Sequence, residues 1–158
     1  LILLQQFDVR PFEILTMTIE RIFIDKLFAA EAYTRNAEKE HRAFEASKHI
    51  YDLAVIASEP RIVSLLQDKE HLAKLLTIRL TEEQNRLDGI PGVLPKDFIF
   101  FDKACANTHI TKAYATMQNQ YVFIPDDRIS LDEAQYQLHC LQDQLNQNQA
   151  WSHATIRE

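Results

Sequence analysis

Apolar residues recur at helical spacing through most of this chain, and capping or breaking residues separate the helical stretches. Thr18 is placed to cap the first helix, with Glu20 in its first turn, and the segment S-L-D-E at 130–133 forms a capping box before the last helix. Pro60 and the loop at 88–92 interrupt the pattern in between. The predicted helices cover residues 18–35, 40–58, 61–87 in two pieces joined at 67–68, 102–121 and 131–146. The pattern therefore predicts a mainly α-helical, bundle-like domain over residues 18–146.

The two ends of the chain lack this helical spacing. Residues 1–17 hold two short apolar runs, at 2–4 and 12–15, that are separated by Pro11, and they are predicted to form a short extended or β segment at an edge or a bend. Residues 147–158 are predicted to be a flexible tail. The chain also begins with Leu1 rather than methionine, which indicates a fragment, a cleaved product or a parent chain that starts further upstream.

Composition narrows the class of protein. The chain has 158 residues, of which 46% are apolar and 25% are charged, as in an ordinary globular domain. It holds only two glycines, Gly89 and Gly92, although all-β and Rossmann-type chains need glycine at turns and phosphate loops. The formal net charge is −6, which argues against a free-standing protein that grips RNA or DNA by charge alone.

Neither the cysteines and histidines nor the hydropathy pattern indicates a metal site or a membrane span. Cys105 and Cys140 lie far apart without C-x-x-C spacing, so we expect two half-buried free thiols in a reducing cytosol. Histidine and glutamate occur at helical spacing within 41–49, but no third metal ligand accompanies them. No apolar run approaches the ~20 residues of a membrane span, so we predict a cytoplasmic protein without membrane contact.

Two charged residues occupy apolar positions of the first two predicted helices. With about 100° between successive residues, Lys26 falls in the middle of the apolar stripe of the first helix, and Asp52 falls within the stripe of the second. Ile24 and Phe28 lie on the opposite side of the first helix, which predicts that this helix packs on both faces. An unpaired buried charge is costly, so each of the two charged residues needs a partner or a function.

Three interpretations fit Lys26 and Asp52. In the first, they form one buried salt bridge between packed helices. In the second, Asp52 pairs with Lys48, which stands one turn before it at i,i+4, and the pair is half-exposed. In the functional interpretation, Lys26 binds phosphate as a point charge and Asp52 orients the lysine or the nucleotide.

Two sequence motifs contain these residues. The segment at 18–29 reads TIERIFIDKLFA and fits the pattern E-(R/K)-x-x-x-x-K-L-x-A, and the segment at 47–53 reads SKHIYDL and fits (S/R)-(R/K)-H-x-Y-D-L. In this order they resemble the C-terminal motifs of the AbiEii/AbiGii toxin family of nucleotidyltransferases. The resemblance rests on the pair of motifs, and residues 60–158 resemble the helical C-terminal region of that family only in outline.

The resemblance implies a DNA-polymerase-β-like nucleotidyltransferase fold with a helical C-terminal domain, of which this chain is the C-terminal part. It implies a bacterial toxin of phage defence that acts beside a cognate antitoxin and uses a nucleoside triphosphate with Mg²⁺. The implied acceptor is an RNA such as tRNA. By the same likeness Lys26 contacts the triphosphate and Asp52 completes the site from the neighbouring helix. Arg35, Lys48 and His49 are further nucleotide-binding candidates.

The chain departs from the family in one respect. The family's upstream half carries a glycine-rich turn and a D-x-D pair that holds the metal, and neither occurs here. Asp126 and Asp127 are adjacent rather than spaced, and we interpret them as a solvated turn. Two carboxylates are needed to hold Mg²⁺ against the triphosphate oxygens. We therefore expect this chain to be inactive alone, and we interpret residues 1–17 as the end of an otherwise missing catalytic α/β domain.

The alternative is a non-catalytic helical interaction module that contacts an antitoxin or a second copy of the chain. In that case Lys26 and Asp52 are a structural ion pair covered by apolar side chains. In an enzyme the two residues converge instead on an open cleft near the N-terminal segment.

Overall fold

A computed structural model describes residues 15–155 of the chain, and within this part it is helical without any strand. The α-helices are α1 Ile19–Arg35, α2 Glu40–Ile56, α3 Pro60–Gln67, α4 Lys69–Glu83, α5 Phe100–Lys103, α6 Thr108–Tyr121, α7 Leu131–Gln147 and α8 Gln149–Ser152. Two single 3₁₀ turns lie at Pro95–Asp97 and Pro125–Asp127. The prediction of a mainly α fold is confirmed. Most of the predicted extended segment, residues 1–14, lies outside the described residues.

Local side-chain chemistry sets most of the helix ends. The Thr18 hydroxyl accepts a hydrogen bond from the Arg21 backbone N–H at 3.3 Å, and the Ser130 hydroxyl accepts one from the Glu133 N–H at 3.1 Å. Both are N-cap bonds that satisfy a backbone donor of the first helical turn. Pro60 occupies the first position of α3, where its missing N–H costs nothing. The predicted starts of α1, α3 and α7 are confirmed.

The structure differs from the expected pattern between residues 102 and 108. We expect one helix over 102–121, but α5 ends at Lys103 and α6 begins only at Thr108. The side chain of Asn107 explains the new start, because its amide oxygen accepts hydrogen bonds from the N–H groups of His109 and Ile110 at 2.9 and 3.2 Å. An asparagine that caps a helix in this way competes with continuation of the preceding one.

The segment at 147–155 also differs from the expected flexible tail. It contains α8, and Trp151 within that helix is only 2% exposed. The indole packs edge-on against Phe98 and Phe101, with ring centroids 5.4 and 6.3 Å away. Asn148 begins the helix by accepting from the Ala150 N–H and by donating to the Leu66 carbonyl, both at 2.9 Å. A buried indole and a buried amide therefore hold this segment on the core.

Helix α1 is the centre of the fold. It packs against α2, α3, α4 and α5, and α2 in turn packs against α6 and α7. Phe23 and Leu27 are fully buried on α1, and so are Ile24 and Phe28 on its other side. The prediction that this helix packs on both faces is confirmed. A helix covered all round is an interior element, so its polar residues need partners within the protein.

Glu31 is the clearest case of such a polar residue. It is fully buried on α1, although it lies outside the apolar stripe of the sequence pattern. Its carboxylate accepts hydrogen bonds from the N–H groups of Ile99 and Phe100 at 2.8 and 3.0 Å, and from Arg35 Nε at 2.6 Å. Burial raises the pKa of Glu31, and these hydrogen bonds partly oppose that rise. The residue therefore fastens the start of α5 to α1.

Arg79 forms a second buried ionic group between α4 and α1. Its side chain is 1% exposed, and its guanidinium lies 3.0 Å from Asp25 Oδ1 and 2.5 Å from Glu83 Oε2. The contacts are ionic, because these atoms make no hydrogen bond of normal geometry. The guanidinium also lies over the Phe28 ring, 4.9 Å from its centroid, which adds a cation–π contact. Burial lowers the pKa of Arg79, and the two carboxylates oppose that change.

Candidate functional site

Lys26 and Asp52 meet at the contact between α1 and α2. The Lys26 ammonium donates a hydrogen bond to Asp52 Oδ2, and the two side chains are 22% and 13% exposed. Of the two structural interpretations of the sequence, the pair between packed helices is therefore the one found. The pair Lys48–Asp52 does not form, because Lys48 turns to Glu45 one turn earlier and contacts its carboxylate at 3.0 Å.

The hydroxyl of Tyr121 completes the surroundings of Asp52. It lies 3.3 Å from both Asp52 oxygens, although 69 residues separate the two positions in the chain. Tyr121 is the last residue of α6, and its ring stands edge-on to Tyr51. The Lys48 ammonium lies over the same ring, 5.3 Å from its centroid. No local sequence motif marks Tyr121 as a neighbour of Asp52.

His49 stands beside the pair and is uncharged at neutral pH. Burial, together with the positive charges of Lys26, Lys48 and Arg86, lowers its pKa to about 4. The imidazole stacks on the Tyr33 ring with 5.5 Å between centroids. Its Nδ1 is buried and has no hydrogen-bond partner within residues 15–155. His49 therefore contributes an aromatic surface and a neutral polar atom rather than a charge.

The lowered pKa of His49 predicts a stability that falls in mild acid. In the unfolded chain His49 takes up a proton as the pH falls below 6.5, whereas in the folded chain it stays neutral until about pH 4. We expect this difference to lower the free energy of unfolding at pH 5 by about 2 kcal/mol relative to neutral pH. Urea denaturation of wild type and His49→Gln at pH 7 and pH 5 measures it. The variant should lose this part of the pH dependence.

His71→Gln is the matched control for this measurement, because His71 is exposed on α4. Its pH dependence should equal that of the wild type. If His49→Gln also keeps the full wild-type dependence, another group is responsible and the assignment to His49 is wrong.

Arg35 lies apart from the other candidate residues. It sits at the end of α1, nine residues after Lys26, which corresponds to about 13 Å along the helix axis. Its guanidinium pairs with Glu31 and donates to the Asp97 carbonyl at 3.1 Å. Lys26, Lys48, His49 and Asp52 therefore lie close together in the structure. Arg35 lies apart from them, and its contacts with Glu31 and Asp97 hold the fold together.

The surroundings of Lys26 suit an anion rather than a divalent cation. An ammonium group has three donors, and Asp52 takes one of them. The Asp52 carboxylate is already engaged by Lys26 and Tyr121. Within residues 15–155 no group of three or more His, Cys, Asp or Glu side chains is arranged to hold a metal ion. Asp126 and Asp127 lie exposed in a 3₁₀ turn, as expected of a solvated turn. These residues do not make up a Mg²⁺ site.

Cys105 and Cys140 are both free and half-buried, as the sequence predicts. Burial raises the pKa of the Cys105 thiol to about 11, so this group is a thiol and not a thiolate at neutral pH. Among the helices of the described part, none has both the length and the apolar character of a membrane-spanning segment.

Comparison with known protein families gives a match over most of the chain. The family model described as "Nucleotidyl transferase AbiEii toxin, Type IV TA system" matches residues 2–140. No curated protein and no solved structure matches the chain. The matched range includes both sequence motifs and every residue of the group around Lys26 and Asp52.

Proposed function

The chain belongs to the AbiEii toxin family of nucleotidyl transferases, and from this membership we propose that it serves in transfer of a nucleotide from a nucleoside triphosphate to an RNA acceptor of the tRNA type. The family description places such proteins in type IV toxin–antitoxin systems, so an antitoxin protein is the implied partner. We place this activity in the bacterial cytoplasm, with Mg²⁺ as the metal that such transfers use.

The observation that carries the proposal is the meeting of the two motifs at a partly exposed ion pair. Lys26 comes from the first motif and Asp52 from the second, and their side chains touch between two packed helices. Catalysis of phosphoryl transfer consists mainly of positioning and charge neutralisation. A lysine that is fixed by a packed helix and has two donors without a partner among residues 15–155 can bind triphosphate oxygens, and the aspartate orients it.

Lys48 and His49 are the further nucleotide-binding candidates that the geometry supports. Both stand within about one turn before Asp52 on α2, and Lys48 adds a second positive charge there. Arg35 is held by Glu31 and Asp97, so we assign it no contact with the nucleotide. The catalytic assignment therefore rests on Lys26 and Asp52.

We expect Lys26→Ala and Asp52→Ala each to lower kcat for nucleotide transfer by about 100-fold, because each variant removes a fixed charge that would lie beside the phosphoryl group being transferred. The natural protein that contains this chain is incubated with Mg²⁺, tRNA and each of the four α-³²P-labelled nucleoside triphosphates in turn. Label in RNA measures transfer. We expect the isolated 158-residue chain to show none, because no group of side chains within residues 15–155 is arranged to hold a metal ion and Asp52 is engaged with Lys26.

The matched controls are Lys74→Ala and Asp143→Ala, which remove the same charges from exposed positions of α4 and α7. Both should keep wild-type activity. If the two site variants fold and transfer nucleotide at the wild-type rate, Lys26 and Asp52 are a structural ion pair and the catalytic assignment is wrong.

That result would favour the second candidate, a non-catalytic helical interaction module for an antitoxin or a second copy of the chain. One observation supports it. Phe123 and Ile124 are 88% and 59% exposed in the segment after α6. Adjacent large apolar side chains in water are typical of surfaces that another molecule covers.

A further inference from the structure

We propose that Tyr121 is a positioning residue of the site, which holds the Asp52 carboxylate in the orientation that Lys26 requires. The proposal rests on the function proposed above and adds a third element, α6, to a site that the motifs place on α1 and α2. Tyr121 lies outside both motifs, and its hydroxyl lies within 3.3 Å of each Asp52 oxygen.

The geometry of this contact defines an orientation. The terminal torsion of an aspartate side chain is broad and has no sharp preferred angle, so a carboxylate held at one oxygen can still turn. Lys26 contacts Oδ2 alone. The Tyr121 hydroxyl has a single proton and is equally far from both oxygens, so it lies on the open side of the carboxylate and limits its rotation. Asp52 is therefore held from two directions.

Tyr121 is itself restrained. Its helix is anchored by the fully buried side chains of Ile110 and Met117. On one side its ring meets Tyr51 edge-on, with 6.4 Å between centroids. The Lys48 ammonium lies over the face of the ring, and the Glu45 carboxylate contacts that ammonium at 3.0 Å. These contacts restrict the ring, so the position of the hydroxyl is set by packing before it meets Asp52.

A purely structural role makes a different prediction. If the hydroxyl only ties α6 to α2, its removal changes stability and leaves the rate of the reaction unchanged. If it orients Asp52, its removal lowers the rate at saturating substrate, because the lysine and its aspartate are no longer aligned with the transferred group. The hydrogen bond is solvent-exposed, and its loss alone costs little stability.

The test is Tyr121→Phe in the natural protein, assayed with Mg²⁺, tRNA and the nucleoside triphosphate that supports transfer. We expect kcat to fall about tenfold with an unchanged KM for the triphosphate. Tyr114→Phe is the matched control, because it removes a tyrosine hydroxyl from the same helix, one that donates to the Ile129 carbonyl at 3.3 Å and does not touch the pair. In an Asp52→Asn background, Tyr121→Phe should lower kcat no further.

An unchanged kcat in Tyr121→Phe, or an equal loss in Tyr114→Phe, overturns the positioning role while the proposed function stands. If the wild-type protein transfers no nucleotide, the proposed function fails separately, and the positioning role is decided by stability. A double-mutant cycle of Lys26→Met and Asp52→Asn measures the coupling of the pair in urea. We expect Tyr121→Phe to reduce that coupling by at least half, and an unchanged coupling overturns the proposal.

Discussion

Replacement of Trp151 by alanine is expected to lower the free energy of unfolding of this chain by about 4 kcal/mol. The indole is 2% exposed and forms one end of an aromatic cluster that continues through Phe98 to Phe28 on α1. Its removal leaves a cavity against Phe98 and Phe101, and packed aromatic rings do not collapse to fill it. Urea denaturation, followed by far-UV circular dichroism, measures the change.

Tyr136→Ala is the matched control for Trp151→Ala, because it removes a large aromatic ring that is 66% exposed on α7. Its effect should stay below about 0.5 kcal/mol. A chain cut after residue 146 provides a second comparison and should be destabilised at least as much as Trp151→Ala. If Trp151→Ala is as stable as the wild type, the segment at 147–155 is a tail in solution, as the sequence alone suggests.

Replacement of Arg79 by methionine is expected to destabilise the chain by about 3–5 kcal/mol, because it leaves the carboxylates of Asp25 and Glu83 without their shared cation. Glu83 is only 2% exposed, so water cannot take the place of the guanidinium. Asp25 is less affected, since Arg21 contacts it at 3.2 Å from the same helix. Methionine keeps the length and the apolar character of the arginine stem, so the loss measures charge rather than volume.

Glu83→Gln in the Arg79→Met background should restore part of this loss. The amide removes the uncompensated charge, and its oxygen can still accept the hydrogen bond that Glu83 receives from the Ile90 N–H at 2.7 Å. Arg61→Met is the control at the surface. Arg61 makes two hydrogen bonds to Glu20, but its side chain is 61% exposed, and such a pair contributes at most about 1 kcal/mol. Equal losses in Arg61→Met and Arg79→Met would contradict the argument from burial.

The parts of the fold that the sequence predicts depend on short-range signals. The caps at Thr18 and Ser130 and the restart at Pro60 each involve residues within one turn of each other, so the local sequence contains the whole interaction. Lys26 and Asp52 are recognisable because helical periodicity alone places a charge where an apolar residue belongs.

The parts that the sequence does not predict depend on partners far along the chain. Glu31 receives its backbone donors from residues 68 and 69 positions away, and Tyr121 reaches Asp52 across 69 positions. Trp151 is an isolated apolar residue in a polar segment, so no periodic pattern marks it as part of the core. Only the packing of helices, which helical spacing does not specify, brings these groups to their partners.

The burial of Trp151 has a consequence for the order in which the protein is made. Synthesis proceeds from the N-terminus, so Phe28 and Phe98 leave the ribosome well before the indole that covers Phe98. A nascent chain that stops short of residue 151 therefore leaves Phe98 and Phe101 without the indole that packs on them, and the aromatic cluster closes only when synthesis has passed that residue.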